Sequence, residues 1–138
     1  MIITLDLPLN ALKPNVRAHH RAKAAATKLY RTHACEQSWL ACEEFDVKEP
    51  YRDAVVAITY YHATLAFADR DNILASLKAA WDGFTDAQLW PDDRDVIFLP
   101  VVRMKDAANP RVEVRIYRHD PAAWRAYMDS ISSQELSE

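Results

Sequence analysis

Glycine is nearly absent: the 138-residue chain contains one, Gly83. A lone glycine cannot build a glycine-rich phosphate cradle. Neither G-x-x-x-x-G-K-[ST], G-x-G-x-x-G nor G-x-S-x-G occurs, which excludes P-loop nucleotide hydrolysis and Rossmann dinucleotide binding. Cysteine is also scarce. Cys35 and Cys42 would lie about 10 Å apart along a helix, too far for a disulfide, so both are expected as reduced, partly buried thiols. No C-x-x-C or Cys/His spacing points to zinc. No apolar run reaches the roughly 18 residues of a membrane span. The opening MIITLDLPLN lacks the basic and apolar regions of a secretory signal. These absences predict a soluble, cytoplasmic protein with no membrane partner and no nucleotide cofactor.

Half of the residues are apolar and 27% are charged, the composition of a folded globular chain. Its length suits one domain over residues 1–138, with a frayed tail from about residue 131, and a core that needs no disulfide or structural metal. The net charge of −3 argues by itself against a simple nucleic-acid binder. Its distribution argues otherwise. No acid occurs between Asp6 and Glu36, a stretch carrying Lys13, Arg17, His19, His20, Arg21, Lys23, Lys28, Arg31 and His33. Acids gather later, at Asp69, Asp71, Asp82, Asp86, Asp92, Asp93 and Asp95. Such a separation can hold a polyanion on one part and a divalent cation on another. A basic run is as often plain solvated surface.

The chain reads as β–α–β–α–β–β–α. Residues 2–7 alternate as a short strand, and 8–18 form a loop with Pro8 and Pro14. From His20 to Phe45 no Pro or Gly interrupts an amphipathic helix, with Ala26, Tyr30, Ala34 and Ala41 at helical spacing, as are Leu29 and Leu40. Residues 53–65 are β-branched and aromatic, hence a strand. Residues 73–84 form an apolar stripe, with Asp71 or Asn72 as N-cap and Gly83 in a left-handed C-terminal turn. Pro100 breaks the strand 96–104, marking an edge or a bulge. Residues 111–116 alternate as a half-exposed strand. Pro121 opens a last helix with Trp124, Tyr127, Met128 and Ile131 on one side. The expected fold class is α+β: a single mixed sheet of about four strands covered by two or three helices.

Asp69 and Asp71 are two apart, so in extended chain their carboxylates share a face. Two such groups repel unless a cation lies between them, and Mg²⁺ prefers carboxylate and water oxygens. A strand–helix–strand unit could return Asp92 or Asp93 to the same neighbourhood. A competing account needs no metal: Asp-x-Asp-Asn is also a well-capped loop, and Asp-Asp after Pro is also a turn. Lys78 lies two turns into the helix. There it can stabilise charge on a transferring phosphate, or simply snorkel into solvent. His19 and His20 belong to the basic loop more readily than to a metal site.

D-R-D-N-I-L-A-S-L-K-A-A-W-D-G (69–83), followed by L-W-P-D-D (89–93), resembles the central signature of the RusA-type Holliday junction resolvases: D-x-D-N-L, K-x-x-x-D, then W/L-x-D-D. The opening L-P-L-N and the basic stretch resemble that family's P-P-S-N and arginine-rich start, so the likeness covers about residues 3–117. It implies a homodimeric, Mg²⁺-dependent endodeoxyribonuclease, with Mn²⁺ as substitute, that resolves four-way DNA junctions by paired symmetric nicks. Asp69, Asp71 and Asp93 match the metal-binding acids, and Lys78 matches the catalytic lysine. DNA contacts are expected from Lys13, Arg17, His19, His20, Arg21, Lys23, Lys28 and Asn72. The family's founding member has about one helical turn fewer before the lysine. Anchored on D-x-D-N, Ala75 takes the lysine position; anchored on D-D, Lys78 does, and the second alignment is preferred. Two other functions fit the same residues: a catalytically silent DNA-binding accessory module of this fold, or a broader nuclease for flaps and branched DNA.

Overall fold

In the computed structural model, which describes residues 1–14, 16–64, 69–120, 122 and 125–130, the alternating apolar stretches pair into one sheet. The elements are β1 (Ile2–Leu5), α1 (His20–Glu44), β2 (Ala54–His62), α2 (Arg70–Ser76), α3 (Lys78–Asp86), β3 (Ile97–Phe98), β4 (Val102–Lys105) and β5 (Arg111–Arg118). Short 3₁₀ turns stand at Asn10–Leu12 and Asp93–Asp95. β5 is central and antiparallel to both β1 and β2, while β3 and β4 run parallel to β2 along its far side. The domain is therefore α+β with one mixed sheet.

The sheet has five strands rather than about four because the 96–104 segment divides. Leu99 still donates to the Val56 carbonyl at 2.9 Å. Pro100 then has no N–H to continue the ladder, and pairing resumes at Val102 against Thr59.

Strand alternation sorts the side chains onto two faces. Ile3 and Leu5, Val56, Ile58 and Tyr60, and Val112, Val114 and Ile116 enter the core with Tyr30, Ala34 and Ala41 of α1 and Ala80, Trp81 and Phe84 of α3. Aromatic rings bind α3 to the following loop and to β3. Trp81 lies 5.0 Å from Phe98, and Phe84 meets Trp90 edge-on at 5.5 Å. Trp90 is fully buried and its indole N–H donates to Thr85 Oγ1 at 2.9 Å, so the apolar body and the polar edge are both satisfied. The other sheet face carries Thr4, Tyr61, Val102, Met104, Glu113, Arg115 and Tyr117.

Three helical details differ from the sequence expectation. The 73–84 helix begins earlier and divides at Leu77, whose φ of −95° and ψ of 0° separate α2 from α3. The N-cap position falls to Asp69, not to Asp71 or Asn72, and its side chain makes no capping bond. Gly83 is not a left-handed terminus: α3 continues to Asp86, and positive φ occurs at Gln88 (62°) and Asp46 (53°) instead. The glycine serves helix packing. A Cβ at Gly83 would overlap the Arg31 carbonyl oxygen and lie 2.9 Å from the Ala34 Cβ and 3.1 Å from the Cys35 nitrogen.

α1 runs one residue short of its expected end and buries Ala26, Tyr30, Ala34, Ser38 and Ala41. Leu29 and Leu40, read with that apolar set, face outward. Cys35 and Cys42 are free thiols, raised in pKa chiefly by burial. Residues 125–130 are helical, with Tyr127 and Met128 exposed; Pro121, Trp124, Ile131 and the tail 131–138 lie outside the described residues. No helix among the described residues is long and apolar enough to cross a membrane.

Gly83→Ala is expected to cost about 3 kcal/mol through overpacking against α1 backbone, lowering the melting temperature by about 10 °C in a circular-dichroism melt. A melt matching the parent protein would show that the two helices separate without penalty.

Candidate functional site

The strongest candidate lies along the β3–β4 side of the sheet, where α2 and α3 begin and the Asp92–Asp93 loop enters β3. Asp69 is extended (φ −61°, ψ 146°) and its carbonyl accepts from Ile73 N–H at 3.0 Å, the first bond of α2. Arg70 donates through Nε to the Val101 carbonyl at 2.9 Å, which fixes the start of α2 at the break between β3 and β4. Asp71 stands in the first helical turn, where the exposed amide dipoles favour a carboxylate.

The extended geometry that would align Asp69 with Asp71 therefore holds only at Asp69. Asp71 is already helical, and residues two apart on a helix point about 200° apart.

Lys78 is the first residue of α3, placed there by the break at Leu77. Its Nζ lies 3.3 Å from Asp93 Oδ2 and 3.9 Å from Asp82 Oδ1. The structure thus brings together two of the four sequence-predicted catalytic residues, Lys78 and Asp93, and adds Asp82. The Asp82 partnership was legible in principle, since four residues separate it from Lys78 on one helix face. Asp93 is held by its neighbours. Trp90 anchors the loop in the core, and Asp92 caps the 3₁₀ turn by accepting from Arg94 N–H at 2.9 Å. That amide, and then the Arg94 guanidinium, hold the Asp92 carboxyl below its ordinary pKa. Asp93 consequently sits in a 3₁₀ turn four residues ahead of β3.

Asp69 and Asp71 stand at the start of α2, and Asp93 stands in the turn ahead of β3. Among the described residues no three His, Cys, Asp or Glu side chains form a group that could hold a metal ion. The donor chemistry, three carboxylates, suits a hard divalent cation. Asp69, Asp71 and Asp93 are the residues that would hold such an ion.

The basic segment divides into several roles. Lys13, Arg17, His20, Arg21, Lys23 and Lys28 are exposed. His19 instead caps α1, its Nδ1 accepting from Arg21 N–H at 3.2 Å, and its ring lies 4.2 Å from that of His20. Arg31 is engaged by Asp86 in a two-point ion pair, with contacts of 2.5 and 2.7 Å. His33 accepts from Asp6 N–H at 3.0 Å. Asn72 is half-buried near the start of α2.

Sequence reasoning missed a second source of positive charge. Burial, then the charges of Arg103 and Lys13, hold the His62 imidazole below its ordinary pKa, which places both cations close to the end of β2. Lys105 is the register partner of His62 on β4. Arg103 and Lys105 lie in a strand assignable from sequence, but only strand register brings them to the basic loop.

No family model matches the chain, and no curated protein matches it.

Lys78→Ala is expected to shift the melting temperature by less than about 4 °C, because solvent-exposed ion pairs contribute about 1 kcal/mol or less. A larger loss would make Lys78 a structural tie between α3 and the Asp93 loop.

Proposed function

We propose that the chain is a structure-selective endodeoxyribonuclease acting on four-way DNA junctions, in the manner of the RusA-type resolvases it resembles. The observation that carries this reading is the Lys78–Asp93 contact at 3.3 Å. It joins the K-x-x-x-D and D-D portions of the signature across 15 residues of sequence, and so favours the alignment that gives Lys78 the lysine role. Positive charge adds to it. Arg103 and Lys105 beside the end of β2, and the exposed Lys13, Arg17 and Lys23 of the basic segment, offer the charge that phosphate backbones need on a chain whose net charge is negative.

Asp69, Asp71 and Asp93 would hold Mg²⁺ or Mn²⁺, which when bound lowers the pKa of a ligated water and offsets phosphate charge. The chain's own groups do the rest. Lys78 donates to a phosphate oxygen or to the leaving oxygen as charge develops there. Asp93 and Asp82 keep its ammonium oriented until substrate arrives. Cationic residues fix the duplex arms without reading their sequence.

A second reading is a catalytically silent DNA-binding module of this fold, favoured by the cationic residues Arg103 and Lys105 beside the end of β2, which need no metal to hold phosphate. Cleavage separates the two. With Mg²⁺ or Mn²⁺, synthetic four-way junctions are expected to be nicked symmetrically. Asp71→Asn should reduce cutting by about 100-fold or more, with junction affinity little changed. Binding without cleavage in either metal would select the silent module, and equal cutting of flaps would select a broader nuclease. Lys23→Ala should reduce the slope of log affinity against log salt by about 1. An unchanged slope in a binding titration would remove Lys23 from the phosphate contacts.

A further inference from the structure

Where the link into β2 meets the loop ahead of β3, a cavity of about 580 Å³ opens, lined by Glu49, Arg52, Asp53, Pro91, Arg118 and His119. Small-molecule sites are of this size, roughly 300–1,000 Å³. Backbone bonds fix its walls. Tyr51 N–H donates to the Leu89 carbonyl at 2.7 Å and ties the link to the loop, while His119 N–H donates to the Asp53 carbonyl at 2.6 Å and ties it to the end of β5. Arg118 is the register partner of Ala54, and its guanidinium lies 4.7 Å from the centre of the buried Tyr51 ring, a cation–π contact that orients it. The His119 ring keeps Nδ1 buried with no hydrogen-bond partner among the described residues. Two arginines and a histidine thus share one cavity with two carboxylates, and among the described residues no ion pair joins the opposite signs. Opposite charges held apart around one cavity are the complement of a ligand that itself carries both signs.

We propose that this cavity binds the phosphomonoester of a small amine, with the phosphate held by Arg52, Arg118 and His119 and the ammonium by Glu49 and Asp53. The donors select phosphate. Three N–H-bearing side chains match the three terminal oxygens of a phosphomonoester, one more than a carboxylate offers. Each guanidinium fork can hold such a group at two points. An ammonium brings three N–H donors and no acceptor, so it suits a pair of carboxylates. Glu49 and Asp53 repel an anion that has no positive end, which makes a DNA backbone or phosphate alone a poor occupant, and the arginines refuse a simple amine in the same way. An aminophospholipid headgroup carries the same two charges, but its phosphate is a diester with fewer free oxygens. This inference does not rest on the nuclease reading, since neither Lys78 nor Asp93 lines the cavity.

Calorimetric titration of the full chain at neutral pH with O-phosphoethanolamine, inorganic phosphate and ethanolamine tests it, with circular dichroism verifying that each variant folds. O-phosphoethanolamine is expected to bind at least about 10-fold more tightly than either half alone. Arg52→Ala should weaken it about 10-fold or more, as loss of charge-assisted bonds does. Glu49→Gln and Asp53→Asn should each weaken O-phosphoethanolamine yet tighten inorganic phosphate, an opposed pair of changes that a merely structural role would not produce. The chain should not sediment with vesicles of phosphatidylethanolamine and phosphatidylcholine. No saturable binding of O-phosphoethanolamine would overturn the proposal, as would equal affinity for phosphate alone or indifference to Arg52→Ala. Co-sedimentation with the vesicles that Arg52→Ala abolishes would overturn it in favour of a lipid headgroup.

Discussion

The approach of α3 to α1 at Gly83 sets the rest of the molecule. There the α3 backbone comes so near the Arg31 carbonyl and the Cys35 amide that no side chain fits between them. This contact brings α3 down onto the sheet with Trp81 against Phe98 and Phe84 against Trp90. Buried Trp90 in turn fixes the loop that carries Asp92 and Asp93. The polar edge where Lys78 meets Asp93 is therefore downstream of an apolar constraint. Its geometry is held by large rings and by a missing methyl group, and hardly at all by the exposed ion pair itself.

The same edge shows how electrostatics and backbone share the work. Arg70 reaches the Val101 carbonyl and so fixes where α2 starts. The break at Leu77 makes Lys78 the first residue of a new helix. Asp92 caps the 3₁₀ turn through Arg94, leaving Asp93 turned toward the lysine. Positive charge accumulates at the far end of β2 through strand register, which sets Arg103 and Lys105 beside its last residues.

Elements with strong periodicity were legible in the sequence. The long helix, the strand after Pro50, the alternating strand at 111–116 and the break at Pro100 all appear where pattern and proline chemistry place them. The failures have physical sources. Gly83 reads as a terminus because glycine's conformational freedom is a local property, whereas its use here is a close approach between distant segments. Leu29 and Leu40 share an approximate period with the buried set, but a wheel centred on Tyr30 and Ala34 turns both toward solvent. For the candidate site, the signature named Lys78 and Asp93, while the ion pair between them became visible only once the fold set the start of α3 beside the turn ahead of β3.

The proline in the outer strand carries one more consequence. A naked strand is a template on which other chains can lay ribbons of sheet. Here that flank is interrupted by Pro100, which has no donor, and the adjacent Val101 oxygen is already taken by Arg70. The opposite flank, β1, is only four residues long. Neither side invites polymerisation, so a sheet with two open flanks is guarded against cross-β growth.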